Sequence, residues 1–304
     1  MRSGNPALSK KTFENLSKKN DILLSKGKRK IFAVITCLVL WFLYVIALES
    51  SGLSSKNLGG VLPAFVFFSL LGSVWFGFVN QNDNEVMTLD GTVNKTAISL
   101  GFLMAAAFFT YSTQNLTLIW PGFIGGLIVA VITIFKKEWS AITVPIYAVL
   151  EGLALGGISA VYAHEYTGIV QQAIFLTFGI FATLLFAYKT KVIKPTENFK
   201  LGVFAATGGI AIVYLASFVM SMFGGGGLSV MDPSNSSLMS IGFSLFVVVI
   251  ASLNLVMDFD FIEEGVEQGA PKYMEWYGAF GLLVTLIWLY LEILRLLSKL
   301  NSRN

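Results

Sequence analysis

Between Leu238 and Met257 the sequence reads LMSIGFSLFVVVIASLNLVM, with no charged side chain in 20 residues. Because an α-helix rises about 1.5 Å per residue, this run is long enough to cross the ~30 Å hydrocarbon layer of a bilayer. A single span in lipid must satisfy its own backbone hydrogen bonds, and a helix does so. The run therefore predicts a transmembrane helix.

Eight further apolar runs of comparable length are distributed along the chain. They lie at Ile31–Leu48, Leu58–Val79, Thr96–Tyr111, Leu118–Phe135, Ile142–Ala163, Ile169–Tyr188, Gly202–Phe223 and Trp276–Leu297. Each is close to the roughly 20 residues that a membrane-spanning helix needs. The sequence thus predicts an all-α, polytopic transmembrane helix bundle, preceded by a polar, lysine-rich arm over residues 1–30.

The composition agrees with a protein whose solvent is largely lipid. Hydrophobic residues make up 55% of the chain and charged residues 13%, about half of the roughly 25% found in soluble domains. The net charge of +3 over 304 residues is small and gives no information about nucleic acid, and we predict no nucleic-acid partner. The predicted partner is the lipid bilayer, and membrane-protein partners are compatible with it.

Lysine and arginine residues concentrate in alternate loops, which indicates an orientation. Four basic residues end the arm at 26–30, two follow the fourth run at 136–137, and four lysines lie at 189–200. The loops at 112–117 and 162–168 carry no lysine or arginine. Because positively charged loops stay in the cytoplasm, we predict a cytoplasmic N-terminus.

An ionisable side chain inside a membrane span is costly and is therefore a candidate for function. Glu151 lies near the middle of its apolar run, where a hydrogen bond to a neighbouring helix or a proton or cation site would explain it. Asp258 and Asp260 directly follow the run quoted first. Asn254 shares a helix face with Asp258, whereas Asp260 points away from that face and fits a solvated helix end.

Glu292 and Arg295 form a further candidate pair, one helical turn apart in the last run. A salt bridge at this spacing would partly neutralise both groups, with the arginine extending toward the membrane surface. Carboxylates in low-dielectric surroundings take up protons more readily than in water, and their oxygens suit hard cations such as Ca²⁺. Carboxylates of this kind are the expected parts of a pH-dependent cation path.

The chain lacks the residue sets of common enzyme sites. His164 is the only histidine, which excludes a histidine-rich metal site, and no Gly-x-Ser-x-Gly elbow is present for a serine triad. His164-Glu165 starts like a zinc-protease motif, but Gly168 stands where the second histidine is required. We therefore predict no enzymatic activity and no resident cofactor, and the sequence leaves any metal ligand unknown.

Two glycine pairs have the four-residue spacing that lets helix backbones approach closely in lipid. They are Gly122 with Gly126, and Gly152 with Gly156. We expect these pairs to pack helices of the same chain against each other. A pore lining or a dimer contact would use the same spacing.

Seven segments, between about Met87 and Leu300, carry a family resemblance. They are MTLDGTVNKT at 87–96, KKEW at 136–139, LEGLALGGIS at 150–159, YKT at 188–190, ATGGI at 206–210, LNLVMDFDFIE at 253–263 and GAPKYMEWY at 269–277. With these segments the chain resembles the Bax inhibitor-1 family, in particular its bacterial, YccA-like branch. The opening residues Met1 to Ser9 are also similar to the start of that branch.

The resemblance implies a seven-helix core, with the last helix central, that acts as a pH-sensitive Ca²⁺ leak in the bacterial inner membrane. The core would occupy residues 81–304. The first two spans, at residues 31–80, would be an added hairpin that returns the chain to its starting side. Ca²⁺ would be the permeant ion and not a cofactor.

In the family a pair of aspartates on the last two helices senses pH, and Asp258 matches the first of them. The second position depends on the alignment: LYLE at 289–292 places Glu292 there, whereas ILRLL at 293–297 places Thr285 there. Thr285 lies nearer the start of the last run, at a depth closer to that of Asp258. Thr285 is therefore the easier match, and it would leave the site without a carboxylate pair.

We accordingly expect a pH-modulated Ca²⁺ or other cation leak, with Asp258 as the sensor and Glu151 as a second carboxylate in the core. One alternative is a non-conducting regulatory membrane protein of the same family. Another is a proton-coupled transporter of a small solute. Measurements of Ca²⁺ flux and of solute-dependent proton uptake distinguish these three functions.

Overall fold

The computed structural model of the chain describes residues 86–224 and 226–303. Seven long helices occupy most of this part of the chain. They are α1 (Leu89–Thr113), α2 (Ile119–Phe135), α3 (Ser140–Glu165), α4 (Ile169–Lys189), α5 (Glu197–Met222), α6 (Leu238–Glu267) and α7 (Met274–Asn301). The polar arm and the predicted hairpin at 31–80 lie outside the described residues.

All seven helices are long and apolar enough to cross a membrane. No β-strand occurs in the part of the chain that the structure describes. Large apolar side chains point outward along the helices, for example Phe175 and Phe204, which are 78% and 76% exposed. Such surfaces are stable in contact with lipid. The predicted all-α transmembrane bundle is therefore confirmed for the seven spans from Thr96 onward.

Helix α1 begins earlier than the apolar run that predicted it, at Leu89 instead of Thr96. Thr88 caps the helix, because its hydroxyl accepts a hydrogen bond from the Gly91 amide at 3.0 Å. The first turns of α1 are therefore polar but helical. This places Lys95 within the helix.

Helix α6 continues beyond the apolar run that ends at Met257 and reaches Glu267. The turn that follows contains Gly269 with a φ of 65°, a left-handed conformation that glycine adopts at helix ends. The apolar run alone predicts that Asp258 and Asp260 lie at the end of the helix. In the structure they lie inside it.

The described residues divide into two compact units. Unit 1 contains residues 86–160 and 265–280, and unit 2 contains residues 161–264 and 281–303. Unit 1 therefore holds α1, α2 and most of α3, and unit 2 holds α4, α5 and most of α6. Helix α7 contributes its first two turns to unit 1 and the remainder to unit 2.

In unit 1, the predicted glycine pairs let neighbouring helices pack so closely that no side chain fits at these positions. A Cβ added at Gly122 of α2 would lie 2.6 Å from the carbonyl oxygen of Leu150 in α3. A Cβ added at Gly152 of α3 would lie 2.8 Å from the Cβ of Ala106 in α1. Packing within the chain is thus confirmed as a use of these glycines.

Substituting Gly156 with alanine is expected to destabilise the protein by about 1–3 kcal/mol, the usual cost of overpacking. The added Cβ would lie 2.9 Å from the Cα of Ala107 in α1, and backbone cannot move aside as a flexible side chain can. Gly179→Ala in α4 is the matched control, since no described atom lies within 4 Å of its added Cβ. Thermal unfolding in detergent measures both variants, and equal melting temperatures would contradict this packing.

Unit 2 has an apolar core between α5 and α6. Ile210 of α5 and Val247 and Ile250 of α6 are buried there, and the side chains of Tyr214 and Trp288 pack against them. Trp288 belongs to α7, so three helices of unit 2 meet at this core. The polar side chains described next lie on the same three helices.

Candidate functional site

Asp258 of α6 faces α7 within unit 2. The Thr285 hydroxyl of α7 forms a hydrogen bond with its carboxylate. Oδ2 of the carboxylate is inaccessible to solvent and has no hydrogen-bond partner among the described residues. A Cβ added at Gly281, one turn before Thr285, would lie 3.3 Å from Oδ1, so the glycine leaves room for the carboxylate. The contact between α6 and α7 thus contains a carboxylate whose Oδ2 forms no hydrogen bond with the described residues.

Of the two positions that alternative alignments match to the second sensor, Thr285 is the one that contacts Asp258. Glu292 lies seven residues further along α7, about 10 Å away by helix rise. The contact agrees with the argument from depth in the membrane. The partner of Asp258 in α7 is therefore a hydroxyl group and not a second carboxylate.

The other predicted polar residues of α6 contact α5. The Asn254 amide donates to Thr207 Oγ1 at 2.8 Å and to the Ile250 carbonyl oxygen at 2.9 Å. Asp260 pairs with Lys200 at 2.5 Å, and both side chains are about one quarter exposed, at 23% and 25%. Asn254 therefore holds α6 against α5, whereas Asp260 forms a partly solvated ion pair.

Glu292 and Arg295 form the predicted salt bridge, with a distance of 2.5 Å between Oε1 and Nη1. Glu292 is 1% exposed, and its Oε1 also accepts a hydrogen bond from the Tyr214 hydroxyl. The same hydroxyl accepts from Arg295 at 3.2 Å and from the Trp288 indole. The guanidinium carbon lies 5.6 Å from the Tyr214 ring centroid, a cation–π geometry. The sequence predicts the ion pair but does not indicate Tyr214.

Lys299 is fully buried near the end of α7. Its ammonium group donates to the Val230 carbonyl oxygen at 2.5 Å, to the Ser244 hydroxyl at 2.8 Å and to the Ser240 carbonyl oxygen at 3.3 Å. Three acceptors match the three protons of an ammonium ion, so the site holds a charged lysine. Because the apolar run ends at Leu297, the sequence does not indicate this burial.

A separate buried ion pair in unit 1 joins the start of α1 to the start of α7. Lys95 is 2% exposed and donates to Oε2 of Glu275, which has no exposed surface, at 2.5 Å. The other oxygen, Oε1, accepts from both the backbone amide and the hydroxyl of Thr88 at 2.9 Å. Lys272 lies 3.2 Å from the same oxygen. Four donors thus surround one buried carboxylate.

Reasoning from the sequence missed this ion pair, although a signal was present. Lys95 and Glu275 belong to two of the segments that carry the family resemblance, at 87–96 and 269–277. The backbone joins these segments as well, because the Met87 amide donates to the Ala270 carbonyl oxygen at 2.7 Å. The two motifs therefore form one structural contact.

Glu151 of α3 is half-buried in unit 1. A Cβ added at Gly126 of α2 would lie 2.6 Å from its Oε1, so this glycine makes room for the carboxylate. Asp258 belongs to unit 2, and the two predicted core carboxylates are thus parts of different units. A shared role of Glu151 and Asp258 stays a prediction.

Within residues 86–224 and 226–303, no three His, Cys, Asp or Glu side chains converge on a point where they could hold a metal ion. Around Asp258 the protein offers one carboxylate and one hydroxyl group. Ca²⁺ in a resident site takes about six to eight oxygen ligands. These two groups alone do not provide the ligands of a resident Ca²⁺ site.

A family model described as Bax inhibitor 1 like matches residues 5–302 of the chain. The match contains all seven described helices and extends into the N-terminal part, beyond the segments that carry the resemblance. No curated protein and no solved structure matches the chain. The seven apolar helices and the nearly complete match identify the chain as an integral, multi-pass membrane protein that belongs to the Bax inhibitor 1 like family.

Proposed function

We propose that the protein is a cation leak channel, with Ca²⁺ as its permeant ion and with a flux that depends on pH through Asp258. The observation that carries this proposal is the Asp258 carboxylate, whose Oδ2 is buried where α6 meets α7. An ionisable group in such a place is costly and is usually retained for function. The family relationship is compatible with this role but specifies no ion.

A proton on Asp258 would change the contact between α6 and α7. An ionised carboxylate only accepts hydrogen bonds, whereas a protonated one also donates. The Thr285 hydroxyl donates to the ionised form, and protonation removes the negative charge that would attract a passing cation. One proton therefore alters both the helix contact and the local electrostatic potential, which supports a dependence of flux on pH.

The residues around Asp258 also favour passage of a cation over its retention. Carboxylate, hydroxyl and amide oxygens are the ligands that hard cations prefer. Asp258 and Thr285 supply two of these groups, and Asn254 lies one turn earlier on α6. So few protein ligands would replace only part of a hydration shell, which is compatible with a leak. Glu151 is the candidate for a further carboxylate on the path.

We place the protein in the inner membrane of a bacterial cell with its N-terminus in the cytoplasm. Lysines in the connections at 136–139, 190–196 and 268–273 support this orientation. If all seven helices cross the membrane, these connections share one side by connectivity alone. The connections at 114–118, 166–168 and 223–237 share the other side and carry no lysine or arginine.

The proposal is tested by Ca²⁺ flux into liposomes that contain the purified protein, measured across a pH series. We expect influx above that of protein-free liposomes, with a rate that changes with pH. Absence of flux at every pH would contradict the proposed channel activity and favour a non-conducting regulatory role. Proton uptake that requires an added solute would instead indicate a transporter.

A further inference from the structure

One face of helix α7 in unit 2 carries a seam of four polar side chains together with a glycine and a tryptophan. Its members are spaced alternately by four and three residues, which places them on the same side of a helix. They are Gly281, Thr285, Trp288, Glu292, Arg295 and Lys299. This seam extends for about 27 Å along the helix axis. The other residues of α7 are mainly apolar, so the seam differs from the rest of the helix surface.

The two ends of the seam lie beside or contain groups of opposite charge. Gly281 and Thr285 adjoin the Asp258 carboxylate at one end. At the other end Glu292, Arg295 and Lys299 bring one negative and two positive groups, a net charge of +1 at neutral pH. Hydrogen bonds from Ser234 hold the pKa of Asp232 below its usual range, but this carboxylate is exposed to water.

The buried positive charge is incompletely balanced. Glu292 and Lys299 are 1% and 0% exposed, and the Arg295 side chain is 21% exposed. Glu292 pairs with Arg295, whereas the three hydrogen-bond acceptors of Lys299 are neutral oxygens. Asp232 interacts with Lys299 only through space, from a position where water and salt screen it. The end of the seam is therefore electropositive.

We propose that Glu292, Arg295 and Lys299 form an electropositive barrier that limits the passage of cations along the α7 seam. This inference rests on the proposed leak activity and names the groups that set its rate. A cation attracted by Asp258 would meet two fixed positive charges further along the same face of α7. Both charges act through weakly screening surroundings, where charge interactions far exceed thermal energy at contact distances.

The network around Arg295 explains how the barrier keeps its position. Glu292 and the Tyr214 hydroxyl both hold the guanidinium group, and the Tyr214 ring packs against it. Lys299 is held by three hydrogen bonds to α6 and to the connection that precedes it. Glu292 has two effects in this account: it orients Arg295 and it lowers the net positive charge by one unit.

A charge series tests the barrier with Ca²⁺ flux into proteoliposomes at one fixed pH. Arg295→Gln lowers the net charge of the cluster to zero, Glu292→Gln raises it to +2, and the double variant returns it to +1. We expect flux to rise about tenfold in Arg295→Gln and to fall about tenfold in Glu292→Gln. The double variant should conduct near the wild-type rate. A tenfold change corresponds to about 1.4 kcal/mol, which one charge in weakly screening surroundings can supply. Arg303→Gln, at an exposed position beyond α7, is the control and should leave flux unchanged.

Lys299→Gln supplies a second route to zero net charge if Arg295→Gln does not fold, because an amide can still donate to the oxygens around Lys299. It should also raise flux. A merely structural role for the cluster predicts that both single charge changes damage the protein alike, so lower flux in both would overturn the barrier. If the wild type conducts and Arg295→Gln conducts at the same rate, the barrier is contradicted and the leak channel is not. Absence of flux in every protein would contradict both the leak channel and the barrier.

Discussion

Replacement of Glu275 with alanine is expected to lower the free energy of unfolding by about 3–5 kcal/mol, the usual cost of leaving one partner of a buried ion pair alone. Lys95 is 2% exposed and would keep a buried charge without its carboxylate. The backbone amide and hydroxyl of Thr88 would lose their shared acceptor as well. The start of α1 would then lose its side-chain contacts with the first turn of α7, and the backbone hydrogen bond from Met87 to Ala270 would remain.

Unfolding by denaturant titration in detergent micelles measures this effect. The double variant Glu275→Ala/Lys95→Ala should lose much less unfolding free energy than the sum of the two single variants. The reason is that Lys95→Ala removes the buried ammonium group that Glu275→Ala leaves without its carboxylate. Glu165→Ala is the matched control. Its side chain is 68% exposed beside His164, so we expect a loss of about 0.5 kcal/mol or less. A Glu275→Ala variant as stable as this control would contradict the structural role of the ion pair.

The membrane-spanning helices were predictable because their signal is local. Length and apolarity within one run are enough to identify a helix that crosses a bilayer. The glycine pairs were predictable for the same reason, since the four-residue spacing of Gly122 and Gly126 is a local pattern that indicates close approach by a neighbouring helix. The sequence does not say which helix approaches, because that depends on the packing of the whole chain.

Helix ends were less predictable, because hydropathy reports contact with lipid and not backbone conformation. The apolar run ends at Met257, whereas α6 continues through an acidic segment to Glu267. The same reason explains why α1 begins before Thr96. Polar helical turns at both places are held by protein contacts. For Asp258 the consequence is a position within a helix, opposite Thr285.

The buried charges were the least predictable feature. Lys95 and Glu275 are separated by 180 residues, and each resembles an ordinary charged flank of an apolar run. Lys299 likewise follows the last run, and its hydrogen-bond acceptors come from α6 and from the connection that precedes α6. Glu292 and Arg295 were predictable as a pair, since they lie within one turn of the same helix. Local spacing thus identified one buried ion pair, and only the tertiary fold identified the other.

Replacement of Asp258 with asparagine is expected to make Ca²⁺ flux independent of pH. Asparagine preserves the size of the side chain and can still accept a hydrogen bond from Thr285, but it has no proton to gain or lose. The helix contact should therefore survive while the change of charge disappears. The variant should unfold under nearly the same conditions as the wild type, which separates the loss of pH response from damage to the fold.

Asp260→Asn is the matched control, because Asp260 lies two residues away in the same helix and pairs with Lys200 at 2.5 Å in a partly exposed position. The most direct measurement is the pH profile of Ca²⁺ flux into proteoliposomes for the wild type and for these two variants, each normalised to its own maximum. We predict a flat profile for Asp258→Asn and a wild-type profile for Asp260→Asn. A wild-type profile in Asp258→Asn would show that Asp258 is not the pH sensor.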